Sequence, residues 1–197
     1  TDPMGNVTLY DYNADDRVIR ETKPNGNHID FSFNVFLGTS SMTDEAGNVW
    51  HYEYTTIGLT TVILDPEGGV TQYTYDPVSY RMLSKTDPLG HTTTYEYDAN
   101  RNLTKITDPA GGIETFTYDS NFNAWLTKTD PNGHTTGRTL DLKGNATEII
   151  DPMGGQLMYG YNSNGLLTNR TNRNGKVTTF AYDTNGNLIS ETDPLGN

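Results

Sequence analysis

Thr86-Asp87-Pro88-Leu89-Gly90-His91-Thr92-Thr93-Thr94-Tyr95-Glu96-Tyr97-Asp98-Ala99-Asn100-Arg101-Asn102-Leu103-Thr104-Lys105-Ile106 holds one complete copy of the unit from which the chain is built. It opens on a turn signal, Asp87-Pro88-Leu89-Gly90. An alternating run follows in which Thr93, Tyr95 and Tyr97 share one face of a strand. A second turn signal, Asp98 to Asn102, leads into a short return run from Leu103 to Ile106. At Thr107-Asp108-Pro109 the unit begins again.

Working outward, the first turn is anchored at Pro3, Pro24, Glu45, Pro66, Pro88, Pro109, Pro131, Pro152, Arg173 and Pro194. The spacing of roughly 21 to 22 residues lies in the range of structural repeats. A glycine stands two residues after every anchor: Gly5, Gly26, Gly47, Gly68, Gly90, Gly111, Gly133, Gly154, Gly175 and Gly196. Aspartate can accept a backbone hydrogen bond at the first turn position, proline pre-sets φ at the second, and glycine tolerates positive φ at the fourth. Glu45 and Arg173 show that proline is dispensable. The unbroken glycine series predicts a structural turn whose backbone only glycine fits.

Seven and nine residues after the anchors come paired aromatics: Tyr10/Tyr12, Phe31/Phe33, Tyr52/Tyr54, Tyr73/Tyr75, Tyr95/Tyr97, Phe116/Tyr118, Tyr159/Tyr161 and Phe180/Tyr182. The residue between them is small or polar. A helix would put residues two apart on different sides, so the period predicts a strand with one aromatic and one wet face. The second turn is Asx-rich, as in Asn162-Ser163-Asn164-Gly165, and its Asn-Gly suits a tight hairpin turn. Return-strand Leu, Val and Ile are expected to fill the gaps between aromatic pairs, because strands two apart lie about 10 Å from each other. The fold predicted is all-β: about nine two-stranded antiparallel hairpins over residues 1–197 in one long curved sheet, since open sheets rarely exceed about ten strands without curling.

Some units depart from the pattern. The unit after Pro131 has Arg138 and Leu140 in place of both aromatics, and Trp125 either fills the space left or is a partly exposed turn residue. The units after Pro66 and Pro109 carry an extra residue, which predicts longer turns near Val78-Ser79-Tyr80 and Asn121-Phe122-Asn123. Val35-Phe36-Leu37-Gly38 replaces an Asx turn with an apolar tip that either touches a neighbouring layer or tucks back on its hairpin.

The Thr-Asp-Pro-x-Gly turn, the Tyr-x-Tyr-Asp strand end and the Asn185-Gly186-Asn187-Leu188 segment resemble the YD repeat of the Rhs family. That family includes bacterial Rhs and wall-associated proteins, toxin-complex shell proteins and teneurins. The resemblance covers the whole chain. It implies that the curved sheet is part of a hollow β-shell, which periodicity alone does not.

Composition narrows the function. The chain has 197 residues, 33% hydrophobic, with net charge −12 and mean hydropathy −0.67. Such acidity disfavours nucleic-acid binding and anionic membrane surfaces. There is no cysteine, so neither a disulfide framework nor a thiolate metal site exists. No apolar run is long enough to insert in a membrane. The chain begins and ends at one phase of the repeat, Thr1-Asp2-Pro3-Met4-Gly5 and Thr192-Asp193-Pro194-Leu195-Gly196, which predicts a segment of a longer repeat protein.

No nucleophile elbow, zinc-protease helix or phosphate loop is present, and no catalytic, cofactor or metal residue is assigned. Among His28, His51, His91 and His134, His91 and His134 occupy one slot just after the turn glycine and read as turn-flanking residues. Some Rhs relatives carry an aspartyl autoprotease with Asp-Pro motifs; here Asp-Pro repeats as a turn, so that activity is not carried over. The Asp98–Asn102 and Asp183–Asn187 stretches mimic the first half of a calcium loop but lack its bidentate glutamate. Glycan stacking on an exposed tyrosine row is a third possibility, set against a Tyr face serving as core or lumen lining.

The resemblance implies a non-enzymatic scaffold, one section of a secreted or cell-surface shell that encapsulates a C-terminal toxin or other cargo. Its partners would be further YD repeats of the same chain or neighbouring copies, and the enclosed cargo. The alternative is an extracellular adhesion or filament module that binds a surface protein or glycan.

Overall fold

The computed structural model describes all residues, Thr1–Asn197. It contains strands and turns and no helix. The chain divides into two units, Thr1–Thr94 and Tyr95–Asn197.

The first unit holds β1 (Leu9–Tyr12), β2 (Val18–Thr22), β3 (His28–Asn34), β4 (Thr39–Thr43), β5 (Val49–Tyr54), β6 (Thr60–Leu64), β7 (Val70–Tyr75), β8 (Met82–Thr86) and the start of β9 (Thr92–Tyr97). Each strand pairs antiparallel with the next. The second unit takes the end of β9 and continues through β10 (Leu103–Thr107), β11 (Ile113–Tyr118), β12 (Trp125–Thr129), β13 (Thr135–Leu140), β14 (Ala146–Ile150), β15 (Gln156–Tyr161), β16 (Leu167–Thr171), β17 (Val177–Tyr182) and β18 (Leu188–Thr192). It pairs in the same way. All 18 strands belong to one open sheet.

The turns explain why the chain folds into hairpins. At Asp87, the backbone N–H donates to the carbonyl of His91 at 3.0 Å, and the N–H of Gly90 donates back to the Asp87 carbonyl at 3.0 Å. The Asp87 Oδ1 accepts the N–H groups of Leu89 and His91, both at 2.9 Å. This is the three-residue hairpin loop, a type I turn closed by a left-handed residue. The ten first-turn glycines have φ between 72° and 87°.

Most second turns are built in the same way, so the Asn-Gly that suits a tight hairpin turn lies within a three-residue loop. Asn162 Oδ1 accepts the N–H groups of Asn164 and Leu166, both at 3.0 Å, and Gly165 stands at φ 80°. The asparagine before the glycine therefore occupies the right-handed position of a type I turn, where it costs nothing. Near Tyr80 and Asn123 the turns are longer, as the extra residues require: Asp76 N–H reaches Arg81 and Asp119 N–H reaches Ala124.

Arg101 occupies the glycine slot of its turn at φ 69°. A side chain there costs about 1 kcal/mol. Arg101→Gly is therefore expected to raise stability by about 1 kcal/mol, measured as a shift in urea midpoint at unchanged slope.

The aromatic face is less covered than the side chains of a core would be. No apolar side chain in the chain is buried; Thr178, at 7% exposure, is the sole buried residue. Most of the paired rings are half-buried, while Tyr10, Tyr12 and Phe33 are exposed. A single sheet layer covers rings only from the sides. The residues opposite them follow from this. Ile63 and Met42 face Tyr52 and Phe31, but Lys85, Lys128 and Arg170 face Tyr73, Phe116 and Tyr159. An open face lets a charged head stay in water while its stem packs on a ring, so the gap need not hold Leu, Val or Ile. Lys128 Nζ lies 5.5 Å from the centroid of Phe116.

The wet face is tied across strands by hydroxyl pairs: Ser32–Ser41 at 2.8 Å, Thr74–Ser84 at 2.6 Å and Thr117–Thr127 at 2.7 Å. Such cross-strand pairs add a few tenths of a kcal/mol each, up to about 1 kcal/mol.

Candidate functional site: the tyrosine seam between hairpins

Within a hairpin the ladder is interrupted just before the second aromatic. Register shifts fall between Thr74 and Tyr75, Thr117 and Tyr118, and Gly160 and Tyr161. The bulge twists the strand and re-aims the tyrosine.

Between hairpins the ladder stops early. The pairs of β6 with β7 begin at Val62↔Gln72, although β6 starts at Thr60. The Thr60 carbonyl is thus outside the ladder, and an unpaired carbonyl costs free energy wherever water cannot serve it. Tyr75 Oη donates to it at 2.8 Å. Tyr118 Oη donates to the Leu103 carbonyl and Tyr161 Oη to the Ala146 carbonyl, both at 2.9 Å. In each case the second tyrosine seals the first carbonyl of the preceding return strand. Partial burial pushes the phenols of Tyr75, Tyr118 and Tyr161 above their ordinary range, with a smaller push from neighbouring charge: Asp98 beside Tyr118, and Tyr159 and Asp141 beside Tyr161. The hydroxyl proton needed for donation is therefore retained. Tyr161→Phe is expected to cost about 1 kcal/mol, the net value of one hydrogen bond, and to speed amide exchange in β14 and β15.

The unit lacking both aromatics solves the same problem differently. Leu140 is where a second tyrosine would seal Trp125. Instead Arg138 Nε donates to the Trp125 carbonyl at 2.8 Å, and its guanidinium lies 4.4 Å from the Trp125 ring centroid. One arginine thus supplies both the donor and the flat packing partner. Trp125 fills the space beside the missing rings by stacking under Arg138. The sequence signal that could have shown this is the spacing of 15 residues between sealed carbonyl and tyrosine. Arg138→Met is expected to cost about 2 kcal/mol, from a charged hydrogen bond and a cation–π contact. Adding Leu140→Tyr should recover roughly half of that, since its hydroxyl would reach the same carbonyl.

The two other edges of the repeat hold no reactive constellation. His91 and His134 each place Nδ1 3.0 Å from the carboxylate of Asp87 or Asp130, within the turn. Both carboxylate oxygens of Asp98 and Asp183 accept bonds from Asn102 and Asn187. Turn carboxylates committed in this way have little left to offer a cation. Asp30 is tied to Arg20 at 2.6 Å, which holds its carboxyl below the ordinary range. The apolar tip does not tuck back: Phe36 is 98% exposed.

The RHS Repeat family model matches residues 1–28, 81–113 and 161–197. No curated protein sequence matches the chain. Among solved structures, a crystal structure of TcdB2-TccC3-Cdc42 is similar over 95% of this chain, with a TM-score of 0.61 at 16% identity. The Photorhabdus luminescens Tc holotoxin pore is similar over 94%, with a TM-score of 0.60 at 16% identity. Crystallised TcdB2-TccC3 gives 95% and 0.56, again at 16% identity. The chain spans 13% or 14% of the length of these matched chains. RHS Repeat matches at the start, middle and end of a chain of successive hairpins mean that it carries RHS repeats and is a structural repeat scaffold.

Proposed function

We propose that residues 1–197 are one section of a longer Rhs-type protein, and that their sheet is a stretch of wall enclosing a toxin or other cargo carried C-terminal to it. The role is mechanical rather than enzymatic. The observation that carries the reading is the uncovered ring face: eighteen strands without a buried apolar side chain make a wall rather than a self-contained globule. A face of half-exposed rings gains when it is closed off from bulk water. The similarity to Tc toxin components supports the same reading. Such a protein would act outside the cell that makes it, with further repeats completing the wall.

Protease protection in the full-length protein tests this. Segments outside residues 1–197 should survive protease while the repeats are intact and be cut once mild acid opens them. A downstream segment cut equally fast before and after opening would overturn encapsulation. It would favour the second reading, a surface adhesion or filament module binding a protein or glycan partner.

A further inference from the structure

We propose that one edge of the first unit is a self-association surface, on which a second copy of this chain docks about a two-fold axis passing beside Ile57. This goes beyond the wall reading and does not depend on it.

The β3–β4 hairpin is built differently from its neighbours. Its ladder runs without a bulge to Asn34↔Thr39, and β4 pairs with β5 over five residue pairs from Thr39↔Glu53 to Thr43↔Val49. The hairpin therefore carries its tip further along the strand direction. The tip is Val35, Phe36 and Leu37, with Phe36 almost wholly in solvent.

An antiparallel meander brings alternate turns to the same edge. The next turn there exposes Ile57, at 53%, and the one after exposes Val78, at 79%, and Tyr80. Successive turns on one edge lie about 10 Å apart, so Phe36 and Val78 flank Ile57 at matched distances. A two-fold operator through the middle turn places Ile57 on its own mate and sets the Phe36–Leu37 tip against Val78 and Tyr80 of the second copy. That is the self-complementarity an isologous interface requires.

Charge and area favour a second copy over other occupants. Asn34-Val35-Phe36-Leu37-Gly38 and Thr55-Thr56-Ile57-Gly58-Leu59 contain no charged residue, in a chain of net charge −12. At those two turns copies meet with no charged side chain in contact, and the Val78 turn is flanked by one charge of each sign, Asp76 and Arg81; a charged lipid headgroup finds no countercharge at the Phe36 and Ile57 turns. The six apolar side chains expose on the order of 700 Å² per copy, close to the ~800 Å² per partner of a standard interface. A groove of about 350 Å³ beside the tip, bordered by Arg17, Phe33 and Tyr54, has room for an incoming side chain.

Cysteine scanning tests the axis, because the chain has no cysteine of its own. Ile57→Cys should form a disulfide dimer on mild oxidation at micromolar protein. Phe36→Cys alone should not, but mixed with Val78→Cys it should, since only residues brought within about 7 Å of each other can bridge. In sedimentation velocity the parent chain should dimerise with concentration. Phe36→Asp or Ile57→Asp should weaken the dimer at least tenfold, while Leu89→Asp on the opposite edge leaves it unchanged. Circular dichroism of the aspartate variants should match the parent chain, because both side chains stand in solvent. A chain that stays monomeric to about 100 μM, a dimer that Leu89→Asp dissolves, equal self-crosslinking by Phe36→Cys and Ile57→Cys, or binding to neutral phosphatidylcholine vesicles in place of dimerisation would each overturn the proposal.

Discussion

Gly144→Ala is expected to destabilise the chain by about 3 kcal/mol, more than alanine at the other turn glycines. Two costs coincide there. Gly144 stands at φ 85°, where a Cβ is strained by about 1 kcal/mol. A Cβ at that position would also lie 2.8 Å from Cγ and Cδ1 of Phe122, on the neighbouring turn. The ring must swing into solvent or the turn must shift, an overpacking cost of about 1 to 3 kcal/mol. Gly165 isolates the first cost. It has the same left-handed backbone, φ 80°, with nothing within 4 Å of its Cβ site. Gly165→Ala should therefore cost only about 1 kcal/mol. Urea unfolding of both variants, and of Gly144→Ala with Phe122→Ala, gives the coupling directly. Equal losses at the two glycines would show that Phe122 yields without cost.

Acid is expected to unfold the array at the turns, with stability flat above about pH 5 and falling steeply below about pH 4. Asp44, Asp141 and Asp183 are held below the ordinary carboxylate range chiefly by the side-chain amides of Asn48, Asn145 and Asn187. Asp87, Asp98, Asp130, Asp151 and Asp193 are held there chiefly by backbone N–H groups four residues on. Lowered folded values fix the sign. The unfolded chain binds protons first, near about pH 3.9, so the carboxylates' stabilisation is complete above that value and lost as pH falls through the folded ones. Asparagine offers a control, because Asn13, Asn162 and Asn172 already accept the same backbone bonds with a neutral oxygen. Asp87→Asn, Asp130→Asn and Asp151→Asn together should keep the fold at pH 7 and make the acid limb of Tm against pH shallower. An acid limb of unchanged steepness would show that the turns are not what acid opens.

Much of this molecule is legible in its spacing, because a hairpin's information is local. Asp87 and Gly90 act on each other across one turn, and Tyr95 and Tyr97 share a face by the geometry of a single strand. The strand count and the longer turns near Tyr80 and Asn123 follow from counting residues between such marks. The construction of the second turn does not. Asn-Gly is compatible with two loop types, and the choice depends on where Leu166 pairs across the hairpin.

The sequence by itself determined an all-β repeat of two-stranded hairpins, since period-two aromatics and turn glycines restrict the backbone one unit at a time. What joins one hairpin to the next is decided by the fold: tyrosine hydroxyls reaching carbonyls fifteen residues back, Arg138 reaching the Trp125 carbonyl thirteen residues back where Leu140 cannot, and charged stems lying opposite rings. Those contacts depend on how far each ladder runs before it splays and on how open the ring face remains. Both are settled by neighbouring strands rather than by any residue's own propensity.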